Sequence, residues 1–131
     1  MIFGLDIDLN NNDIKNVAVV DFLATKIESN TTAIGVTTPV LFDSFSAISY
    51  RSAEYLFQLS QGTSYAQVKV LIIHDSTDVA VSEYAQVSIG PDITYTINGS
   101  FSLGSLELTI TCPTADLNPV TLKFSRVLFD V

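Results

Sequence analysis

Apolar and polar residues alternate with a period of two over most of the chain after residue 45. The clearest run is RSAEYLFQL at 51–59, where Ala53, Tyr55, Phe57 and Leu59 fall on one face. Successive side chains of a β-strand point to opposite faces of the sheet. The alternation therefore predicts a half-buried strand with these four side chains directed inward.

Five further segments have strand character and are separated by turn residues. They are residues 66–73, 79–89, 93–97, 106–111 and 120–129. The segment 66–73 has apolar residues on both faces, which predicts a central strand covered on two sides. Six strands at roughly ten-residue spacing predict an all-β fold, an antiparallel β-sandwich (jelly-roll-like) of about six to eight strands.

The dipeptide Asn98-Gly99 is the strongest short hairpin signal in the chain. Both residues tolerate positive φ, as the central residues of a type I′ turn must. We therefore expect the strand at 93–97 to end in a turn at Asn98-Gly99. Gly104 is expected to mark a second break or a bulge.

Residues 1–44 differ in character, with short apolar pieces separated by polar ones. The stretch LDIDLNNNDIKNV at 5–17 offers apolar side chains but too few sequence neighbours to cover them. We predict an extended N-terminal anchoring and oligomerisation segment at 1–44, joined to partner chains by strand addition or intertwining, and a β-sandwich domain at 45–131. The expected assembly interface consists of Leu5, Ile7, Leu9, Ile14, Val17, Val19 and Phe22, with Ile34 and Val36 leaving water alongside them.

Charge and composition exclude several function classes. The net charge is -8, from 14 acidic and 6 basic residues. This argues against nucleic-acid binding, which needs basic residues to neutralise phosphates, and against attraction to anionic membranes. No apolar run approaches the roughly 18 residues of a membrane helix, so no membrane insertion is expected. A charged content of 15% is low, which suits sheet surfaces covered by other subunits.

Few residues are candidates for chemistry. His74, Asp75 and Asp78 are the nearest approach to a metal or catalytic cluster. They lie at a turn, however, where Asp and Ser side chains cap backbone groups, and we favour that structural role. No nucleophile motif surrounds any serine, and the single cysteine, Cys112, is expected to be a small buried hydrophobe. We predict no catalytic residue, no metal, no cofactor and no enzymatic activity.

Two residues are singled out for other roles. Arg51 begins the apolar face of its strand, and a buried guanidinium requires a carboxylate partner. We expect a structural ion pair with Glu83, or alternatively with Glu54. Tyr65 lies in the QGTSY turn and is the tyrosine most exposed by pattern, which makes it a candidate glycan contact because aromatic faces stack on sugars.

Several motifs resemble a module of structural proteins from tailed bacteriophages, especially marine and cyanobacterial phages. They are YRSA at 50–53, the turn glycine at 62, LIIHD at 71–75 and EY at 83–84. The similarity covers about the C-terminal two thirds of the chain. Separately, LDIDLNNNDIKNV is similar to an asparagine-rich element of phage fibre proteins, here present once and without a repeat array.

The resemblance implies a non-enzymatic virion structural protein displayed on the particle surface. A short fibre, a neck or tail appendage, or a capsid decoration protein fits the length. It implies a homo-oligomer, with a trimer favoured, that contacts other virion proteins after assembly in the host cytoplasm. The alternative is a glycan-binding β-sandwich module for recognition of the host surface.

Overall fold

Strands make up most of the chain that the structure describes. The computed structural model describes residues 19–21 and 24–131, and these form β-strands without any helix. The strands are β1 (Val19–Asp21), β2 (Thr25–Ile34), β3 (Val40–Ser46), β4 (Tyr50–Gln61), β5 (Ser64–His74), β6 (Val79–Ile89), β7 (Thr96–Ser102), β8 (Ser105–Thr111) and β9 (Val120–Asp130).

The strands form two sheets in which every neighbouring pair is antiparallel. The large sheet has the order β1-β2-β9-β4-β5-β6, and the small sheet has the order β3-β8-β7. The predicted antiparallel sandwich is thus confirmed. Eight strands are seven residues or longer, and the three-residue β1 adds a short ninth at one edge.

The core lies between the two sheets, where period-two alternation places the apolar side chains. In β5 burial alternates strictly along the strand, and β4, β8 and β9 alternate over most of their length. Phe42 of the small sheet meets Phe57 and Phe124 of the large sheet edge-on, with ring centroids 5.4 and 5.7 Å apart. Such aromatic pairs add about 0.5–1.5 kcal/mol each beyond the burial of their area. The inward orientation predicted for Ala53, Tyr55, Phe57 and Leu59 is confirmed.

The predicted domain boundary at residue 44 does not match the sheets. β2 pairs with β9 over ten residues, β3 pairs with β8, and Ile34 and Phe42 are core residues. The sandwich therefore includes residues 25–44. The place of β2 in the sandwich could not be recognised from its sequence. A three-stranded sheet is roughly 14 Å wide at ~4.8 Å per strand, so it does not cover the part of the six-stranded sheet where β2 lies. Most β2 side chains consequently stay polar and partly exposed.

The hairpin predicted at Asn98-Gly99 is wrong, because both residues lie inside β7 and pair with β8. The two-residue turn is Leu103-Gly104, with φ of 49° and 82°. Gly99 has a packing role instead: a Cβ there would lie 3.0 Å from Cγ1 of Val79. The glycine lets β7 approach β6 closely.

The prediction that residues 66–73 are covered on both faces is also wrong. Val68, Val70 and Ile72 are buried, but Leu71 and Ile73 are 45% and 54% exposed. No described residue lies over the outer face of the large sheet at this point. That face is therefore apolar in part and open.

Candidate functional site

A buried charge cluster joins the two sheets. Arg126 of β9 lies on the inner face and donates from Nη1 to Asp43 Oδ2 at 2.6 Å and to the Ser44 carbonyl at 3.0 Å. Its Nη2 forms an ion pair with Glu28 of β2. The Tyr55 hydroxyl donates to the same Asp43 oxygen at 2.5 Å. Arg126, Glu28 and Tyr55 belong to the large sheet and Asp43 to the small one, so the cluster connects the layers.

The electrostatics of this cluster favour ionised carboxylates around a charged guanidinium. Burial opposes ionisation of Glu28, but a hydrogen bond from Lys26 and the attraction of Arg126 outweigh it and lower the Glu28 pKa. Burial likewise opposes the charge on Arg126, yet the Asp43 carboxylate keeps the Arg126 pKa above its ordinary value. Burial and the neighbouring Asp43 raise the pKa of Tyr55, which stays a hydroxyl donor. The arrangement suits a structural fastener, since every charge is matched.

The ion pair predicted for Arg51 is absent among the described residues, and Arg126 occupies that structural role instead. Arg51 donates to the His74 carbonyl at 3.2 Å. The Glu83 carboxylate accepts a hydrogen bond from Tyr95, while Glu54 lies 3.9 Å from Lys69. Sheet register explains the separation: Arg51 lies near the row of His74 and Val79. Glu83 is four residues further along β6, roughly 13 Å away.

The sequence did contain the signal for Arg126. In the β9 segment VTLKFSRVLFD, position 126 follows Val120, Leu122 and Phe124 at a period of two. The same pattern that drew attention to Arg51 thus places Arg126 on an inward face. Its partners could not be identified in this way, because Asp43 and Glu28 are 83 and 98 residues distant in sequence.

The turn at residues 74–78 is held by local hydrogen bonds. Asp75 Oδ1 accepts from the backbone N–H groups of Thr77 and Asp78, and these bonds lower the Asp75 pKa. His74 is buried: its Nδ1 accepts from the Ser76 N–H, and its Nε2 lies 2.6 Å from the Tyr50 carbonyl oxygen. With Nδ1 as an acceptor, Nε2 is the protonated nitrogen and donates to Tyr50. The side chains of His74 and Asp75 are thus engaged in fold contacts.

The open face of the large sheet includes a polar strip. It forms a shallow depression of about 540 Å³ in which hydroxyl and amide side chains surround Leu56, with Lys123 at one side. The polar strip consists of Ser29, Thr31, Gln58, Gln67, Lys123 and Ser125. Gln58 and Gln67 are directly opposed on β4 and β5 and lie at its centre.

Tyr65 lies at the end of the polar strip. It is 52% exposed and lines a second depression of about 360 Å³ together with Gln58, Gln67, Val87 and Ile89. The two depressions share Gln58 and Gln67. An aromatic face next to amides and hydroxyls is chemically suited to a sugar, which offers apolar ring faces and polar rims.

The predicted assembly interface falls outside the described side chains. Leu5, Ile7, Leu9, Ile14, Val17 and Phe22 lie outside the described residues, and of Val19 only its place in β1 is described. The associated prediction for Ile34 is wrong, because this side chain is fully buried in its own sandwich. Val36 is 50% exposed.

Cys112 is fully buried, as predicted, and burial raises the pKa of its thiol. Within residues 19–21 and 24–131, no group of three or more His, Cys, Asp or Glu side chains is placed to hold a metal ion. The same part of the chain contains no helix with the length and apolarity to cross a membrane.

The fold has neighbours among solved structures of phage proteins. The tailspike protein of Acinetobacter baumannii phage AM24 superimposes with a TM-score of 0.51 at 8% identity, over 82% of this chain and 26% of that one. The tailspike gp49 of A. baumannii bacteriophage Fri1, a capsular polysaccharide depolymerase, gives 0.45 at 13% identity, over 91% and 22%. The Acinetobacter phage vB_ApiP_P1 tailspike gives 0.34 at 18% identity, over 96% and 24%.

This chain spans about a quarter of the length of each tailspike. No protein-family model matches it, and no curated protein does. At 8% identity, the likeness to the AM24 tailspike is one of fold. A sandwich with this arrangement of strands therefore occurs in a phage tailspike.

Proposed function

We propose that this chain is a non-enzymatic structural protein of a tailed-phage virion, placed in a tail-associated appendage or short fibre. The observation that carries the proposal is the fold shared with the AM24 tailspike over 82% of this chain. The sequence motifs at 50–53, 71–75 and 83–84, which lie on β4, β5 and β6, support it independently. Neck and capsid-decoration positions are alternatives of the same kind.

In this role the sandwich is a rigid module. Arg126 ties β9 to β2 and β3, so that the two sheets resist sliding. Residues 1–18 precede β1, which lies at one edge of the large sheet. We propose that this segment joins sister chains or other virion proteins into a homo-oligomer.

The absence of catalysis is part of the proposal. The two acidic side chains of the buried cluster, Glu28 and Asp43, are both committed to Arg126. A glycoside hydrolase of the usual kind needs two free carboxyl groups flanking a cleft. We expect the purified full-length chain to leave host capsular polysaccharide at its original length in size-exclusion chromatography, and shortened chains would contradict this.

The experiment that tests the location is mass spectrometry of particles from the phage whose genome encodes the chain. Particles are purified through two density gradients, with tail-less heads from a tail-assembly mutant as a matched sample. We expect the chain in intact particles at several copies each and its loss from tail-less heads. Its presence in both samples would move it to the head, and its absence from both would refute the proposal.

A second candidate function is recognition of host-surface glycan by the polar strip with Tyr65. The favouring observation is the run of amides and hydroxyls that ends at an exposed aromatic ring. Calorimetry with host capsule oligosaccharide tests it. Binding that is lost in Tyr65→Ala and in Gln58→Ala, but kept in Leu103→Ala at the fully exposed turn, would establish it. Absence of binding at millimolar oligosaccharide would exclude it.

A further inference from the structure

β6 is a long edge strand with one unpaired side. It spans Val79–Ile89 and pairs with β5, and no described strand lies on its other side. All residues from 80 to 89 are exposed. Backbone N–H and C=O groups along such an edge are positioned to hydrogen-bond another strand.

The first half of β6 lacks the features that usually block edge pairing. Residues 79–84 contain neither proline nor lysine, and their one charge is Glu83, whose carboxylate accepts a hydrogen bond from Tyr95. A bulge follows, where Ala85 has a φ of 54° and the register with β5 shifts. At the opposite edge of the same sheet the described part of β1 comprises three residues. Residues 79–84 are thus the straight stretch available to a partner strand.

An apolar groove of about 350 Å³ lies beside this edge on the outer face of the large sheet. Phe129, Leu71 and Ile73 flank it, and they are 41%, 45% and 54% exposed. The groove is open because small residues, Ser52 and Ala80, lie on either side of Ile73 in one cross-strand row. A large side chain that a partner strand places beside Ala80 would cover Ile73.

We propose that β6 pairs antiparallel with β6 of a second copy of this chain, about a twofold axis at Ser82. Directly opposed residues in an antiparallel pair direct their side chains to the same face. This axis places Ala80 opposite the second copy's Tyr84, both on the outer face. It places Val81 opposite the second copy's Glu83, both on the inner face.

Tyr84 identifies the second copy as the occupant. Its ring is on the outer face and 38% exposed, and its hydroxyl donates to Glu54 Oε1 of its own sheet at 3.4 Å. Under this register the ring turns from Glu54 across the edge to Ala80 of the other copy, where the groove opens. Each copy supplies both the ring and the groove, which is the self-complementarity that a twofold contact requires. The pairing buries two tyrosine rings and two sets of apolar groove residues.

The negative charge along residues 79–84 is low for this acidic chain. Two copies with a net charge of -8 each repel one another. The stretch 79–84 brings a single carboxylate per copy, and the register keeps the two Glu83 residues from lying directly opposite each other. The contact does not depend on a virion location, so it goes beyond the proposed function.

Sedimentation equilibrium of the full-length chain tests the pairing. A contact through residues 79–84 is a small interface, which gives weak association, so the concentrations run from about 1 to 300 μM. We expect the average mass to rise across this range through pairing at β6, in addition to any oligomer joined through the N-terminal segment. Tyr84→Ala should weaken the dimer roughly tenfold through loss of a central aromatic anchor. The matched variant Tyr65→Ala removes a tyrosine on the same face that is 52% exposed, and it should leave the pairing unchanged.

Charge variants at the axis test the register. Ser82→Lys should weaken self-association roughly tenfold, since it sets like charges opposite each other, and so should Ser82→Glu. An equimolar mixture of the two should recover a heterodimer. Ser29→Lys, on the same face but four strands away, serves as the control.

A wild-type chain whose average mass stays constant throughout, or an association that Ser82→Lys and Tyr84→Ala leave intact, would overturn the inference. So would equal effects of Ser29→Lys and Ser82→Lys. Dimer formation in a chain that is missing from purified particles would leave the pairing standing and refute the virion proposal. The two failures are therefore distinguishable.

Discussion

Arg126 connects side chains from three strands through one guanidinium. Its side chain is 10% exposed, and those of Glu28 and Asp43 are 20% and 13% exposed. Removing one partner of a buried ion pair costs more free energy than the intact pair contributes, because the remaining charge stays desolvated. A single substitution at Arg126 therefore removes contacts in both sheets.

We predict that Arg126→Ala lowers the free energy of unfolding by about 3–5 kcal/mol, since it removes the guanidinium from Glu28, which keeps Lys26, and from the less exposed Asp43, which keeps the Tyr55 hydroxyl. Arg51→Ala is the matched control: it removes one hydrogen bond to the His74 carbonyl and should cost about 1 kcal/mol. Urea unfolding monitored by circular dichroism measures both. Equal losses in the two variants would contradict the role assigned to Arg126.

The lowered pKa of Glu28 predicts a specific pH dependence. The folded-state pKa lies below the ordinary value of 4.5, so the unfolded chain binds more protons in this window. The stabilising contribution is therefore complete above about pH 4.5 and is lost as the pH falls through the folded-state pKa. We expect Glu28→Gln to flatten the acid limb of the curve of unfolding free energy against pH.

The control for this measurement is Asp92→Asn, which removes one exposed carboxylate elsewhere in the fold. Its acid limb should run parallel to that of the wild type. A Glu28→Gln curve that also runs parallel would show that Glu28 does not contribute through ionisation.

At the scale of elements, the link between β7 and β8 is a two-residue turn with both φ values positive. Leu103 is fully exposed there and gains nothing from its apolar side chain. The turn geometry favours Asn-Gly or Gly-Gly. The asparagine–glycine pair of this chain lies instead at 98–99, inside β7.

We predict that Gly104→Ala destabilises the fold by about 1–2 kcal/mol, the usual penalty for an L side chain in the left-handed region. Leu103→Asn should stabilise it by several tenths of a kcal/mol, since asparagine tolerates positive φ. Asn98→Thr should be neutral or stabilising, because threonine suits a strand. A large loss in Asn98→Thr would favour a turn at Asn98-Gly99. Urea unfolding of the three variants decides between these turns.

The elements that could be predicted from sequence are those with one covered face. β4, β5, β8 and β9 alternate in burial, so their strand period appears directly in the residues. The strand β2 could not be predicted from the sequence because Ile34 is its one buried residue. The turn was misplaced because Gly99 serves the close contact with Val79, a constraint set by strands distant in sequence.

The candidate site was predictable only in part. Tyr65 was expected to be exposed, and it is. Arg126 obeys the period-two pattern, but its bonds to Glu28 and Asp43 depend on the register between β2 and β9 and on how the sheets stack. No local pattern encodes those two relations.

At the scale of the whole molecule, the two faces and the edge of the large sheet have different uses. The inner face forms the core with the small sheet, and the outer face combines the polar strip with an apolar groove. The edge at β6 is open to another strand in the described part of the chain. A module with a sealed core and an open face and edge suits repeated assembly.

The central claim is that this sandwich is built into a tailed-phage particle. A cryo-EM map of the intact particle tests it most directly, at a resolution that separates β-strands. We predict density in the tail region, in several symmetry-related copies, that fits a six-stranded sheet facing a three-stranded sheet with side chains following this sequence. A complete map in which all such density belongs to other chains would contradict the claim.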